Sequence, residues 1–292
     1  MSGGLKTVLL LTALAALFVL AGRAAWGIEG MAVALALALL MNFGVYRFSD
    51  RMALSMAGAR EVTAGEAPDL HRLVEQVALL ARLPRPRVYV MESASPNAFA
   101  TGRNPAHAAV AVTTGIQEIL TRDELEGVLA HELAHVRNRD TLISAVVATM
   151  AGAVTMMASA APWTPGVGRG GRSGSEEGKS GIAYVAGSRL MVLAAPIAAI
   201  LVRLTISRTR EYSADATGAC ILGDPFPLAR ALEKLEVGNR ALPMDVDPAM
   251  AHQFTVQPLP EGRIMRLFNA HPPVEDRVRR LSQMALGPIP SL

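Results

Sequence analysis

Hydrophobic positions along this chain fall into two patterns: long unbroken runs, and recurrences at helical or strand spacing. Leu5–Ala21 is almost entirely Leu, Ala and Val behind Lys6, and Met31–Tyr46 is a second run of the same kind. Each is near the length that crosses a bilayer core, allowing for flanks. Together they predict a transmembrane hairpin over residues 1–50. A cleaved leader is the other reading of the first run, because small residues follow it; the prompt return of the second run favours the hairpin. Thr141–Ala161 and Ile182–Ile206 form a second apolar pair, separated by a loop at 162–181 rich in Gly, Ser and charge. Arg189, Pro196 and Arg203 break the last run. This pair is either two further spans or a hydrophobic pair packed partly against the rest of the chain. Arg47, Arg51 and Arg60 follow the second run, against Arg23 alone in the hairpin tip, so the charge rule puts the amino terminus and the residues after 47 in the cytoplasm.

Between these runs the periodicity changes. Leu70, Leu73, Val74, Val77 and Leu80 predict an amphipathic helix over Pro68–Leu83, ended by Pro84 and Pro86. Arg87–Met91 alternates like a strand, and Ala98–Thr101 with Ala108–Thr113 predict two more around a turn at Gly102–Ala106. A small antiparallel sheet results. An edge strand, either Asn97–Thr101 or Val110–Thr113, would pair with an extended peptide through main-chain hydrogen bonds, which makes Asn97, Ala98, Val110 and Val112 candidate substrate-binding positions. Pro227–Val237 predicts a further amphipathic helix, followed by a Pro- and Met-containing connection at 238–262 that is placed to gate access. The chain divides into the 1–50 hairpin, a first catalytic half at 51–140, a second hydrophobic hairpin at 141–206, and a second catalytic half at 207–292.

Thr121 and Glu124 have capping-box spacing, and Leu125, Val128, Leu129 and Leu133 continue an apolar helical stripe. Within that helix lies His131-Glu132-Leu133-Ala134-His135. Residues i and i+4 share a helix face, so both imidazoles can hold one metal, and Glu132 is placed to take a proton from an attacking water. Two packed histidines with a surface carboxylate would explain the string alone. A catalytic metal, however, demands a third ligand and an open position. Glu211 meets that demand, with Asp215 one helical turn on, able to accept the other ring N–H of a ligand histidine. Arg208 and Arg210 offer a plain charge-balance alternative for the acidic pair. His71, His107 and His252 have no motif partner and are read as non-ligands.

Composition sharpens this picture. Of 292 residues, 51% are apolar and 4% aromatic, too apolar for an ordinary soluble enzyme. The net charge of +3 fits basic residues flanking membrane spans, and no basic cluster interleaved with aromatics supports nucleic-acid binding. Cys220 is alone, so no internal disulfide exists and a reducing compartment suits the catalytic part.

His131–Asp140 (HELAHVRNRD) and Arg210–Asp215 (REYSAD) resemble the HtpX family of membrane-bound zinc metallopeptidases, related to the prenyl-protein (CAAX) endopeptidases. Asn97–Gly102, Ala109–Gly115 and His271-Pro272-Pro273 with Arg277 extend the resemblance over nearly the whole chain; the 162–181 loop is longer than the family pattern. The resemblance implies an α+β, mainly helical integral membrane protein with up to four transmembrane helices and a gluzincin-like peptidase domain. It implies one zinc held by His131, His135 and Glu211, with Glu132 as base and His271 and Arg277 as candidate oxyanion donors. It also implies a multi-pass protein of the bacterial inner membrane with a cytoplasmic catalytic domain. Such a protein would cleave damaged membrane proteins or unfolded polypeptides in quality control and stress response, and often itself. A processing peptidase for lipidated or specific tails is the second reading, and a non-catalytic membrane scaffold with structural zinc the third. A structural zinc favours four closed ligands, typically with Cys, and would leave Glu132 without a purpose.

Overall fold

The computed structural model describes residues 3–148, 208–259 and 271–285. The 162–181 loop, the fourth apolar run and most of the third lie outside them. The first two apolar runs fall in one helical element, α1, Gly3–Met56. Between the two runs Gly27, at φ 66, sits in the left-handed region. Gly27–Met56 has a mean hydropathy of 1.9 over its most apolar window. At about 1.5 Å rise per residue, its 30 residues exceed the roughly 30 Å of a bilayer core. Leu35, Leu37, Leu39, Leu40 and Phe43 are exposed along it, a surface that lipid rather than water suits.

A four-stranded sheet follows: β1 (Arg60–Glu61), β2 (Arg87–Met91), β3 (Ala98–Thr101) and β4 (Ala109–Thr113), in the order β1-β2-β4-β3. It is mixed, not antiparallel: β2 and β4 run parallel, while β1–β2 and β3–β4 are antiparallel. The β3–β4 hairpin docks through its second strand. Side-chain alternation is the same for either strand direction, so the pattern of residues was blind to this choice. The hairpin turns at Gly102, φ 141, where a Cβ would lie 2.7 Å from the His107 carbonyl oxygen.

Both sheet faces are covered, each by its own set of alternate residues. Val88, Val90, Ala98, Ala100, Val110 and Val112 join the main core beneath α2 (Pro68–Leu80) and α4 (Arg122–Arg137). Tyr89, Met91, Phe99, Ala109 and Ala111 pack instead with Ala53, Leu54 and Ala57 at the end of α1, and with Met244, Met250 and Phe254. The sheet is thereby seated on the base of the apolar helix. A salt bridge of 2.9 Å between Asp50 and Arg87 reinforces that seat.

A short helix α3 (Thr114–Ile119) leads into α4, which starts on the expected capping box: the Thr121 hydroxyl accepts from the Glu124 N–H, and Glu124 accepts from the Thr121 N–H. Helix α2 stops at Leu80, three residues short of expectation. Arg82 takes φ 57, and the Leu83 N–H returns to the Ala78 carbonyl at 2.9 Å, closing the helix before Pro84. Helices α5 (Arg208–Leu222) and α6 (Phe226–Ala241) pack on α4, and α7 (Val274–Met284) closes over α6. Two glycines let the α4 contacts form. A Cβ at Gly127 would sit 2.6 Å from the Leu228 nitrogen of α6, and one at Gly218 would sit 3.0 Å from the His131 nitrogen of α4.

Candidate active site and metal centre

The close approach at Gly218 sets the site, because it brings α5 against α4 at the first histidine. Glu211 and Asp215, one turn apart on α5, both face His131. His131 Nδ1 is 2.9 Å from Asp215 Oδ1, leaving Nε2 turned toward Glu211 Oε2 at 3.8 Å. His135 is arranged in parallel: Nδ1 is 3.4 Å from Asp140 Oδ2, and Nε2 is 3.6 Å from Glu211 Oε1. Each imidazole thus has a carboxylate behind it and the same carboxylate in front. A carboxylate on Nδ1 fixes the tautomer with a lone pair on Nε2, the form that binds a metal.

Asp140 enters the sequence reading only as the last residue of the His131–Asp140 string. It reaches His135 because α4 ends in a reversing turn. Arg139 adopts φ 59, its N–H bonds the Val136 carbonyl, and the Asp140 N–H returns 2.9 Å to the His135 carbonyl. The turn folds Asp140 back onto the ring five residues before it.

One ligand atom from each of His131, His135 and Glu211 can be chosen so that all lie within 4.8 Å of one another. Burial alone would lift the Glu211 carboxyl, but His135, His271 and His131 around it hold it well below the usual range. Burial would lower His135, yet Glu211 and Asp140 push it up to about 9. These shifts describe a strong local demand for positive charge. Two imidazoles and a carboxylate form the donor set of a catalytic zinc, and Glu211 Oε2 and both ring nitrogens of His271 are buried beside it without hydrogen-bond partners among the described residues. The residues fit the ion.

Glu132 points into the same cavity and is 2% exposed. Its Oε2 accepts from the Ala100 N–H at 2.8 Å, and its Oε1 accepts from the Thr255 hydroxyl at 2.7 Å. His271 Nδ1 lies 3.5 Å from Glu211 Oε2 and lines the cavity. Arg277 is fully buried and committed elsewhere: Nε and Nη2 donate to Asp215 at 2.9 and 2.7 Å, and Nη1 donates to the Thr255 carbonyl at 2.8 Å. Its Nη2 is 3.4 Å from the His131 ring. The guanidinium therefore backs Asp215 more directly than it faces the cavity.

Of the candidate substrate-binding positions, Asn97 and Ala98 lie at the start of β3, the sheet edge, whereas Val110 and Val112 lie in β4, paired on both sides. Main-chain addition at Val110 or Val112 is thus closed off. His71 and His107 are remote from the cavity, bonded to Val62 and Asn104. His252 lines the cavity, its Nε2 3.2 Å from the Ser144 carbonyl. Thr255, which the sequence did not single out, touches Glu132; no local pattern announces a contact made by a connection so distant in the chain.

A buried His-Glu-x-x-His helix with a third carboxylate on a neighbouring helix defines a metal-dependent hydrolase. The model of peptidase family M48 matches residues 64–285. A protein named Protease HtpX homolog from Persephonella marina is 50% identical over 285 residues, covering 96% of this chain and 97% of its own. One of the same name from Syntrophobacter fumaroxidans is 48% identical, covering 97% and 100%. Another from Aquifex aeolicus is 51% identical, covering 89% and 85%. The crystal structure of S. mikatae Ste24p aligns at 17% identity with a TM-score of 0.47, over 94% of this chain and 64% of that longer one. The chain belongs to peptidase family M48, among its HtpX-type proteases. It is a membrane metalloprotease, a hydrolase of peptide bonds in a family of zinc-dependent enzymes.

Proposed function

We propose that the chain is a zinc endopeptidase of the bacterial inner membrane, with one zinc per chain and its catalytic domain on the cytoplasmic side. It cleaves misfolded or damaged membrane proteins and cuts itself. The observation that carries the catalytic reading is the paired geometry of the histidines: both Nε2 atoms face Glu211 while Asp215 and Asp140 sit behind the rings. His131, His135 and Glu211 would hold the ion. Zinc, when bound, supplies Lewis-acid polarisation of the attacking water and of the scissile carbonyl.

Glu132 is the base. It takes a proton as water attacks the peptide carbon and passes that proton to the leaving amine. Asp215 and Asp140 hold the imidazoles in the ligating tautomer. His271, buried at the cavity wall beside Glu211, donates to the oxygen that gains charge in the transition state. Arg277 was the other candidate for that task; its bonds to Asp215 and Thr255 support positioning from behind. The run of exposed apolar residues on α1 supports anchorage in a bilayer and hence membrane-borne substrates. Hydrolysis of β-casein by detergent-purified protein tests the reading. Loss of cleavage with a chelator and recovery with zinc is the expected result; cleavage indifferent to the chelator refutes it.

A further inference from the structure

The last torsion of a glutamate side chain is broad, so the plane of its carboxylate is set by what it touches rather than by rotamer preference. For Glu132 two donors from separate parts of the chain set it. The Ala100 N–H of β3 donates to Oε2 at 2.8 Å, and the Thr255 hydroxyl donates to Oε1 at 2.7 Å. The Ala98 carbonyl is also within reach of that hydroxyl, at 3.0 Å, but it already accepts from the Thr255 N–H at 2.9 Å. The carboxylate oxygen is the closer and stronger acceptor for the single hydroxyl proton. A carboxylate offers about four lone-pair positions, so one donor on each oxygen fixes the plane and leaves the rest open to a reacting water.

Thr255 can orient Glu132 only if it is itself held, and its backbone is. Its carbonyl accepts from Arg277 Nη1 at 2.8 Å. The next residue is clamped by Asn97, whose Nδ2 donates to the Val256 carbonyl at 2.9 Å and whose Oδ1 accepts from the Val256 N–H at 3.4 Å. Asn97 is braced in turn by Asn239, whose Oδ1 accepts from Asn97 Nδ2 at 3.3 Å, and both carboxamides are buried. Arg277 is the link across the site. The guanidinium that holds the Thr255 carbonyl also grips Asp215, which sits behind His131. His131 and Glu132 are neighbours on α4, so ring and carboxylate are tied back to one buried cation from different sides.

We infer that Thr255 is a positioning residue for the reaction: its hydroxyl sets the plane of the Glu132 carboxylate, and Arg277 registers that plane against His131. The inference rests on the peptidase reading above and adds to it the residue that orients the base. Thr255 acts through Glu132 and not on substrate, so its hydroxyl matters to the rate of the chemical step and not to substrate binding. Misplacing a reacting group by about 1 Å can cost roughly a hundredfold in rate, which bounds what losing one of the two donors can do.

The test compares full-length, zinc-loaded wild type, Thr255→Val and Thr255→Ser in β-casein hydrolysis. Valine keeps the branched shape without the hydroxyl, and serine keeps the hydroxyl without the methyl. Thr255→Val is expected to lower kcat about ten- to hundredfold at unchanged KM and zinc content, and Thr255→Ser to restore most of the rate. Thr255→Ala takes the place of Thr255→Val, with the same expectation, where valine leaves the protein too unstable to purify. Wild-type kcat in the variant lacking the hydroxyl, or an equal loss with serine, overturns the inference. A second readout needs neither turnover nor zinc. The carboxylate infrared band that Glu132→Gln removes is expected to shift in Thr255→Val and to stay in place in Thr255→Ser; an unmoved band in Thr255→Val overturns the inference. A wild type that cleaves no casein sinks the peptidase reading, and the band still decides whether Thr255 holds the carboxylate.

Discussion

Arg277→Met is the most informative single change away from the reacting atoms. Arg277 is fully buried on α7 and grips both oxygens of Asp215, which in turn holds His131. Burial alone would raise the Asp215 carboxyl, but Arg277 and His131 hold it at about 2 against an ordinary 3.8. At 1.36 kcal/mol per unit, that is about 2.5 kcal/mol of favourable interaction. Methionine fills similar volume but strands the carboxylate, and breaking a buried pair by removing one partner typically costs about 3–5 kcal/mol. The Thr255 carbonyl also loses its donor. A loss near 3–4 kcal/mol corresponds to a fall of roughly 10 °C in melting temperature for a domain of this size.

The assay is thermal unfolding of the metal-free protein in detergent, followed by circular dichroism, for Arg277→Met, Asp215→Asn and the double variant. The double variant is expected to recover much of the loss, because it no longer buries an unpaired charge. The pH dependence carries the same signature. A depressed carboxyl contributes stability above its unfolded value, so the wild type loses about 2.5 kcal/mol as pH falls from near 4 through 2, and Arg277→Met does not. A single-variant loss below about 1 kcal/mol, or strictly additive losses in the double variant, refutes the coupling.

Three other outcomes follow from the same geometry. Gly218→Val should push α5 off the His131 backbone and lower zinc affinity at least tenfold while the helical content persists; unchanged affinity by competition with a chelating dye would contradict the close-approach argument. Zinc must displace the proton that Glu211 and Asp140 hold on His135, so apparent affinity should climb about tenfold per pH unit up to about pH 9 and then flatten; a flat profile between pH 6 and 8 would contradict it. Thr121→Ala should cost about 1 kcal/mol through the lost capping box, read as a lower melting temperature with zinc stoichiometry unchanged.

What the sequence made legible was local. Helical spacing put His131 and His135 on one face and Glu211 with Asp215 on another, and Thr121 with Glu124 marked where α4 begins. These need only the 3.6-residue repeat and the chemistry of caps. The strand positions of β2, β3 and β4 also followed from alternation, but their order and the parallel β2–β4 pairing did not, since periodicity has no direction. The same limit hid the roles of Val110 and Val112, which a parallel neighbour seals. Asp140 depends on a left-handed Arg139, a conformation no pattern announces for arginine. Gly218 and Thr255 act through contacts across long stretches of chain, where one residue's meaning depends on what the fold brings against it.

The most direct measurement compares wild type with Glu132→Gln, both zinc-loaded, for hydrolysis of β-casein with metal content determined in each. Glutamine keeps the shape of the side chain but cannot take a proton. Equal zinc in both proteins, with a loss of at least roughly 10²–10⁴-fold in rate for the variant, is the result expected of Glu132 as the base. Equal zinc with undiminished cleavage by Glu132→Gln would contradict it.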